Sequence, residues 1–196
     1  MRVRRQDFLP GFGDLFKTLG AKHFGGSLLK GNPQEARPIS TKNSMHLVLR
    51  STLAVREKSF LHPSRSRRIQ AVVYGIGKQT GVKVYRYANS GNHLHLVILP
   101  ISRRAFRSYI RAISGLIARI TLGAERGDPK GLKFWDARPF SRIVEWGKDF
   151  RQACAYLVQN TLEAIGFIPF TPRKYRQRMA NAPTARASPS RRVSPA

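Results

Sequence analysis

Two kinds of hydrophobic pattern run through the middle of this chain. Alternation with a period of two, typical of half-buried strands, occurs at 45–50, 82–87 and 93–99. Apolar steps of three and four, typical of helices, occur at 64–76, 102–120 and 148–164. Ser64 and Ser102 stand where helix caps are expected, Gly166 follows the last helix, and 134–146 is interpreted as extended. The predicted order is strand, helix, strand, strand, helix, strand, helix.

This order predicts an α+β fold, namely a ferredoxin-like antiparallel sheet with helices packed on one face. The other face is expected to be open for a large ligand. The body is expected at 39–170. Residues 1–38, rich in glycine and basic residues, are expected to form an irregular arm. Residues 171–196 hold seven Lys or Arg, four prolines and no acid, which predicts a disordered basic tail.

The net charge of the chain indicates the class of partner that it binds. The 196 residues include 36 Lys plus Arg against 10 Asp plus Glu, a formal charge of +26. Such a field favours nucleic acid through counterion release. No lipidation signal, basic amphipathic helix or membrane-length apolar run is present, so a cytoplasmic protein without a membrane partner is expected. The single cysteine, Cys154, excludes an internal disulfide and a cysteine-rich zinc site.

The strand at 93–99 carries candidate chemistry. Its alternation places His93 and His95 on one face and Leu94, Leu96 and Ile98 on the other. Two imidazoles side by side on a rigid strand can bind one divalent metal ion, whereas two surface histidines are the plain alternative. His46, on the first strand, is either a further functional histidine or a sheet-surface residue.

The last helix carries a second unusual feature. Tyr156 lies on its polar stripe, with Gln159 and Asn160 about one turn later. A divalent ion held by His93, His95 and one of these amides would polarise a phosphate, and Tyr156 would attack the phosphorus. The product is a 5′-phosphotyrosine that retains the bond energy for rejoining. A phenol is mostly protonated at neutral pH, so the ion or a nearby base must help remove its proton.

These residues resemble the single-tyrosine HUH transposases, in particular the REP-associated tyrosine transposases and related small insertion-sequence enzymes. The resemblance spans about residues 40 to 168 in the family's order. Its motifs are the His-hydrophobic-His strand at 92–97, a Trp-x-x-Arg-aromatic segment at 134–140, and the tyrosine helix with its exit, at 148–168. Ser90-Gly91 stands where the family commonly has proline.

The resemblance implies a catalytic domain at 39–170 that nicks and rejoins single-stranded, hairpin-forming DNA with Mg or Mn. It implies that His93 and His95 are metal ligands, that Tyr156 is the nucleophile and that Asn160 completes the metal site, with Gln159 still open. Relatives act as monomers or as homodimers in which the tyrosine helix serves the partner's metal site, so the oligomeric state stays open.

Other functions compete with this interpretation. Histidine-triad hydrolases need a third histidine where Val97 stands, and two-histidine phosphoesterases need a hydroxyl residue in place of His95. The main alternative is a non-catalytic single-stranded DNA- or RNA-binding protein. The side chains predicted to contact nucleic acid under either hypothesis are Trp135, Arg103, Arg104, Arg138 and Arg142.

Overall fold

A computed structural model of the protein describes residues 23–26, 36–124 and 133–170. The predicted basic tail at 171–196 lies outside the described residues, as do most of the predicted arm and the turn expected at 126–131. None of the helices within these ranges is long and apolar enough to cross a membrane.

The described ranges contain five strands and three α-helices. The strands are β1 (His23–Phe24), β2 (Ser44–Arg50), β3 (Val82–Asn89), β4 (His93–Pro100) and β5 (Phe140–Val144). The helices are α1 (Pro63–Thr80), α2 (Arg103–Leu122) and α3 (Lys148–Ala164), and a short 3-10 turn covers Arg56–Lys58. The predicted order of elements is thus confirmed, with β1 added inside the segment expected to be irregular.

All five strands form one antiparallel sheet in the order β1-β5-β2-β4-β3. Strand β2 lies at the centre and pairs with β4 from Met45 opposite Ile98 to Arg50 opposite His93. A tight turn joins β3 to β4, where the amide of Ser90 donates to the carbonyl of His93 at 2.9 Å. Gly91 in this turn has a φ of +84°, a conformation that glycine adopts without a Cβ penalty.

The main hydrophobic core lies between one face of the sheet and the helices α1 and α2. Alternation along β2 and β4 sends Met45, Leu47, Leu94 and Leu96 into this core, all with no exposed surface. The two helices add Ile69, Val73, Phe106, Tyr109, Ile113 and Ile117. The α+β class and the antiparallel sheet are therefore as the sequence predicts.

The position of α3 differs from the expectation that all helices lie on one face. Ala153 and Leu157 of α3 pack against Val97 and Val144 in a second, smaller apolar cluster on the opposite face of the sheet. The helical spacing showed which side of α3 is buried, but a periodicity cannot tell which face of a sheet receives it. The face expected to be open is consequently covered in part by the tyrosine helix.

The helix ends agree with the predictions except at α1. Ser102 caps α2, because its hydroxyl accepts from the amide of Ala105 at 3.0 Å. Helix α1 instead begins two residues earlier than a cap at Ser64 predicts: Pro63 is its first residue and His62 is the cap. The extended segment predicted at 134–146 is a strand only from Phe140 to Val144.

Candidate active site

The histidine pair lies on the sheet face that α3 covers. His93 and His95 are two residues apart on β4, and their ring centroids are 4.7 Å apart. Leu94 between them points into the main core on the other face. The strand pairing fixes the pair from both sides, with Val48 of β2 and Ala88 of β3 opposite His95. The rings are therefore held by a buried strand instead of a mobile loop.

His93 is in the protonation state that a metal ligand needs. Burial, and then the positive charge of Arg50 across the strand pair, lower the pKa of His93 to about 4. A neutral imidazole has one N–H and one lone pair. The Nδ1 of His93 lies 2.6 Å from Oδ1 of Asn92. Because that oxygen can only accept, Nδ1 carries the hydrogen and Nε2 keeps the lone pair.

His95 is more deeply buried and contacts a third histidine. Its Nδ1 lies 3.2 Å from Nε2 of His46 on β2, and the two rings stack at 5.3 Å with an interplanar angle of 20°. His95 is 5% exposed and His46 is 8% exposed. Of the two interpretations open for His46, the structure supports the one that places it at the site.

Tyr156 lies beside these rings. Its ring meets His95 edge-on at 5.6 Å and 89°, and His46 at 6.1 Å and 76°. The side chain is only half-buried, so it is within reach of solvent while its ring packs at the edge of the second cluster. From the polar stripe that the sequence shows on α3, Tyr156 thus meets the histidines.

The two amides predicted as alternative ligands have different surroundings. Asn160 is 7% exposed and belongs to the buried side of α3, one turn beyond Tyr156. Gln159 is half-buried, and its Nε2 donates to Glu163 at 3.0 Å along the helix. Within 23–26, 36–124 and 133–170 there is no group of three His, Cys, Asp or Glu that could hold an ion. Of the two amides, Asn160 is the more deeply buried.

Arg142, which the sequence predicts to contact nucleic acid, makes an ion pair within the protein. It lies opposite His46 on β5, and its guanidinium makes two bonds to the carboxylate of Asp149, at 3.0 and 2.9 Å. Asp149 also accepts from the amide of Glu145 at 3.1 Å. This ion pair joins the first turn of α3 to the sheet, so Arg142 helps to position the helix that carries Tyr156.

Trp135 also has a packing role. Its indole Nε1 donates to the carbonyl of Ser114 on α2 at 3.1 Å, and its ring packs on Phe60 and Phe134 at the main core. The structure therefore places Trp135 on the α2 side of the sheet, away from the histidines. The side chain is only partly buried, and its contact with nucleic acid stays a prediction.

The remaining predicted contacts are exposed arginines. Arg138 lies in the loop before β5, where its carbonyl accepts from Gly26. Arg103 and Arg104 begin α2, just beyond Pro100 at the end of β4. At 3.3 Å per residue, Pro100 lies about 23 Å from His93 along the strand. They do not join the histidine–tyrosine cluster. They line an open groove with Arg107, Ser108, Arg111 and Ala112.

Two features of the site were missed in the sequence. Asn92 belongs to the strand motif, but its role as the hydrogen-bond acceptor for His93 depends on the geometry of the turn. The Arg142–Asp149 pair joins residues seven apart in two different elements, and no helical or strand spacing indicates it. His46, in contrast, could have been assigned from alternation alone, because Met45 and Leu47 beside it are buried on the other face.

Comparisons with known proteins agree with this architecture. No protein-family model matches the chain, and no curated protein matches its sequence. Among solved structures, the chain is similar to a REP-associated tyrosine transposase bound to a REP hairpin. The TM-score is 0.53 at 14% identity, covering 83% of this chain and 96% of that one. A candidate transposase from Deinococcus radiodurans R1 matches at a TM-score of 0.39 and 12% identity, over 68% of this chain and 98% of that one.

The similarity to the REP-associated enzyme concerns the fold. The α+β fold expected from the sequence is therefore confirmed, and this chain shares it with that REP-associated tyrosine transposase.

Proposed function

We propose that this protein is a metal-dependent, transposase-like enzyme that nicks and rejoins single-stranded DNA through a tyrosine. The observation that carries the proposal is the contact between Tyr156 and His95, which brings a nucleophile to a pair of candidate metal ligands. These residues come from different elements, α3 and β4, and both lie on one sheet face. The fold shared with a REP-associated tyrosine transposase supports the same function.

The candidate ligands fit a divalent ion. His93, His95 and the amide of Asn160, with Gln159 as the alternative, would hold Mg²⁺ or Mn²⁺, which when bound polarises the scissile phosphate as a Lewis acid. Two imidazole nitrogens suit Mn²⁺ better than Mg²⁺, which prefers oxygen. The tautomer of His93 fits as well, because its Nδ1–H donates to Asn92 and its Nε2 lone pair is retained.

Tyr156 would form the covalent bond. Its phenolic oxygen attacks phosphorus and loses its proton, and the bond from phosphorus to the 3′-oxygen breaks. The leaving 3′-oxygen takes up a proton and becomes a 3′-hydroxyl. The 5′-phosphotyrosine keeps the energy of the phosphodiester, so a 3′-hydroxyl can reverse the step and rejoin the strand. The half-buried position of Tyr156 suits both halves of the reaction, because the ring is held against His95 and His46 while the side chain is partly exposed.

The substrate is proposed to be single-stranded DNA with hairpin-forming ends, bound by a strongly cationic surface. No Asp or Glu occurs between Glu57 and Glu125, a span that includes both α1 and α2. The arginines of α2 on the far side of the sheet would contact phosphates away from the site, and Arg138 is proposed to do so nearer to β5. Since one chain brings Tyr156 to His95, either a monomer or a homodimer can present the site.

The arginine groove of α2 also favours a second candidate function, that of a non-catalytic nucleic-acid-binding protein. Arg103, Arg104, Arg107 and Arg111 give this groove charge without any residue of the histidine–tyrosine cluster. A protein that only binds would need no more than this surface. The two functions differ in one product, a covalent adduct between protein and DNA.

The test is an adduct assay with labelled single-stranded DNA pools rich in hairpins. Protein is incubated with Mn²⁺ or Mg²⁺ and run under denaturing conditions. The expected result is a metal-dependent covalent band that Tyr156→Phe abolishes and His95→Ala strongly reduces. Tyr74→Phe is the matched control, because Tyr74 is a partly exposed helical tyrosine on α1, on the other side of the sheet, and its band should persist.

The opposite outcome is equally informative. If the wild-type protein binds the pools tightly without any adduct, while the fold of all variants is intact, the binding-only function replaces the enzyme. If Tyr156→Phe still forms the adduct, another side chain is the nucleophile and the proposed chemistry is wrong.

A further inference from the structure

The contact between His46 and His95 has a chemical consequence that the proposed reaction does not use. The two histidines lie on neighbouring strands, β2 and β4, with His46 opposite Val97 and His95 opposite Val48. Both strands send their alternate residues to the same face at this point, so the rings stack and place Nε2 of His46 at 3.2 Å from Nδ1 of His95. Both side chains are more than nine-tenths buried.

A hydrogen bond between two neutral imidazoles has only two forms. If His95 donates from Nδ1, its Nε2 keeps the lone pair that a metal ion needs. If His46 donates from Nε2, then Nε2 of His95 carries the hydrogen and this nitrogen is closed to an ion. The direction of one hydrogen bond therefore decides whether His95 is a competent ligand.

We infer that His46 is the positioning residue that accepts from His95 and fixes its Nδ1–H tautomer, an inference that rests on the proposed metal-dependent function. The neighbouring ligand supplies the argument for the direction. The Nδ1 of His93 also meets a partner on the same face, and there the partner is the oxygen of Asn92, which can only accept. In both histidines Nδ1 is thus bonded within the protein, and in this tautomer the lone pair of each ring lies on Nε2.

Orientation is the second part of this role. The stacked arrangement with His46 on one side and the edge-on ring of Tyr156 on another restricts the rotation of the His95 ring. His46 also contacts Tyr156 at 6.1 Å, so one side chain touches both the proposed ligand and the proposed nucleophile. Removal of a residue that holds a metal-binding histidine by a hydrogen bond typically lowers metal affinity by about 10- to 100-fold.

The test compares His46→Leu with His46→Gln. Leucine fills the space but accepts nothing, whereas the Oε1 of glutamine can take the place of Nε2 and accept from His95. The expected result is a loss of Mn²⁺ affinity of about 10- to 100-fold in His46→Leu and a clearly smaller loss in His46→Gln. Affinity is measured by electron paramagnetic resonance of the ion, without DNA. His62→Ser, at the exposed cap of α1, is the histidine control and should bind as the wild type does.

A second readout needs no metal. Long-range proton–nitrogen correlation spectra of the metal-free protein, with isotope-labelled histidine, give the tautomer of each ring. We expect His95 to carry its hydrogen on Nδ1 in the wild type and in His46→Gln, and to become mixed in His46→Leu. A His95 that carries its hydrogen on Nε2 in the wild type would overturn the inference.

The two readouts separate the inference from the proposed function. If the wild type binds no Mn²⁺ but shows the expected tautomer, the metal proposal fails and the role of His46 stands. If Mn²⁺ binds equally well to the wild type and to a folded His46→Leu, the role of His46 is refuted while the metal site stands. Far-UV circular dichroism checks the fold, and if His46→Leu does not fold, the wild-type and His46→Gln spectra decide.

Discussion

The ion pair between Arg142 and Asp149 offers the sharpest test of how α3 is held against the sheet. Two bonds of 3.0 and 2.9 Å join the guanidinium to the carboxylate, and the side chains are 26% and 34% exposed. Helix α3 has no side-chain bond at its cap residue Gly147, so Asp149 is the acid that faces the first turn. Loss of Asp149 should therefore weaken the start of the helix that carries Tyr156.

The magnitude follows from three contributions. A partly exposed, bidentate pair should contribute about 1 kcal/mol, near the upper end of the exposed range. The bond from the amide of Glu145, at 3.1 Å, should add about 1 kcal/mol, and the favourable position of a carboxylate at a helix start about 0.5 kcal/mol. Asp149→Ala should thus lower the free energy of unfolding by about 2.5 kcal/mol, whereas Arg142→Met should lower it by only about 1 kcal/mol.

The assay is a double-mutant cycle on these two positions, read by urea unfolding with circular dichroism. The expected coupling energy is about 1 kcal/mol, which is about 0.5 M in the urea midpoint for a slope of about 2 kcal/mol/M. The pair of Arg50 with Asp136 is the control, because its single contact of 3.4 Å and the 54% exposure of Arg50 predict a coupling below about 0.5 kcal/mol. A coupling near zero for Arg142 and Asp149 would refute the reasoning.

Three further predictions concern packing, backbone and ligand choice. Leu157→Ala should cost about 2–4 kcal/mol in urea unfolding, because the side chain is 1% exposed beneath α3; a cost below about 1 kcal/mol would contradict the packing described. Gly25→Ala should destabilise the edge of the sheet by more than about 1 kcal/mol, since Gly25 has a φ of +91° and a Cβ would collide with the carbonyl of Pro139. Faster hydrogen exchange at β1 and β5 would show it, and unchanged exchange would exclude it. Asn160→Ala should weaken Mn²⁺ binding more than Gln159→Ala does, and the reverse order would make Gln159 the ligand.

Much of the fold was predictable because its patterns are local. The bounds of α3, Lys148–Ala164, agree with the predicted helix, and the alternation at 93–99 gave both the strand and the shared face of the two histidines. The strand β1 was not predictable, because two residues cannot show a periodicity and the pair is stabilised by β5.

For the candidate site, the sequence indicates which side chains share a face better than it indicates which residues hold them in place. Tyr156 was separated from the core by its place on a polar stripe, and the structure brings it to His95. The contact partners of Arg142 and Trp135 could not be predicted, because both depend on which elements meet in space. A basic residue in a cationic chain is easily assigned to nucleic acid when its acidic partner lies in another element.

The location of α3 on its own side of the sheet makes assembly of the site separable from folding of the domain. Its apolar cluster is small and distinct from the core under α1 and α2. Local openings of such a unit require less free energy than global unfolding. Substitutions such as Leu157→Ala lower the free energy of both local opening and global unfolding, but local opening starts from the smaller value. Tyr156 would therefore separate from His95 in molecules whose main core is still folded.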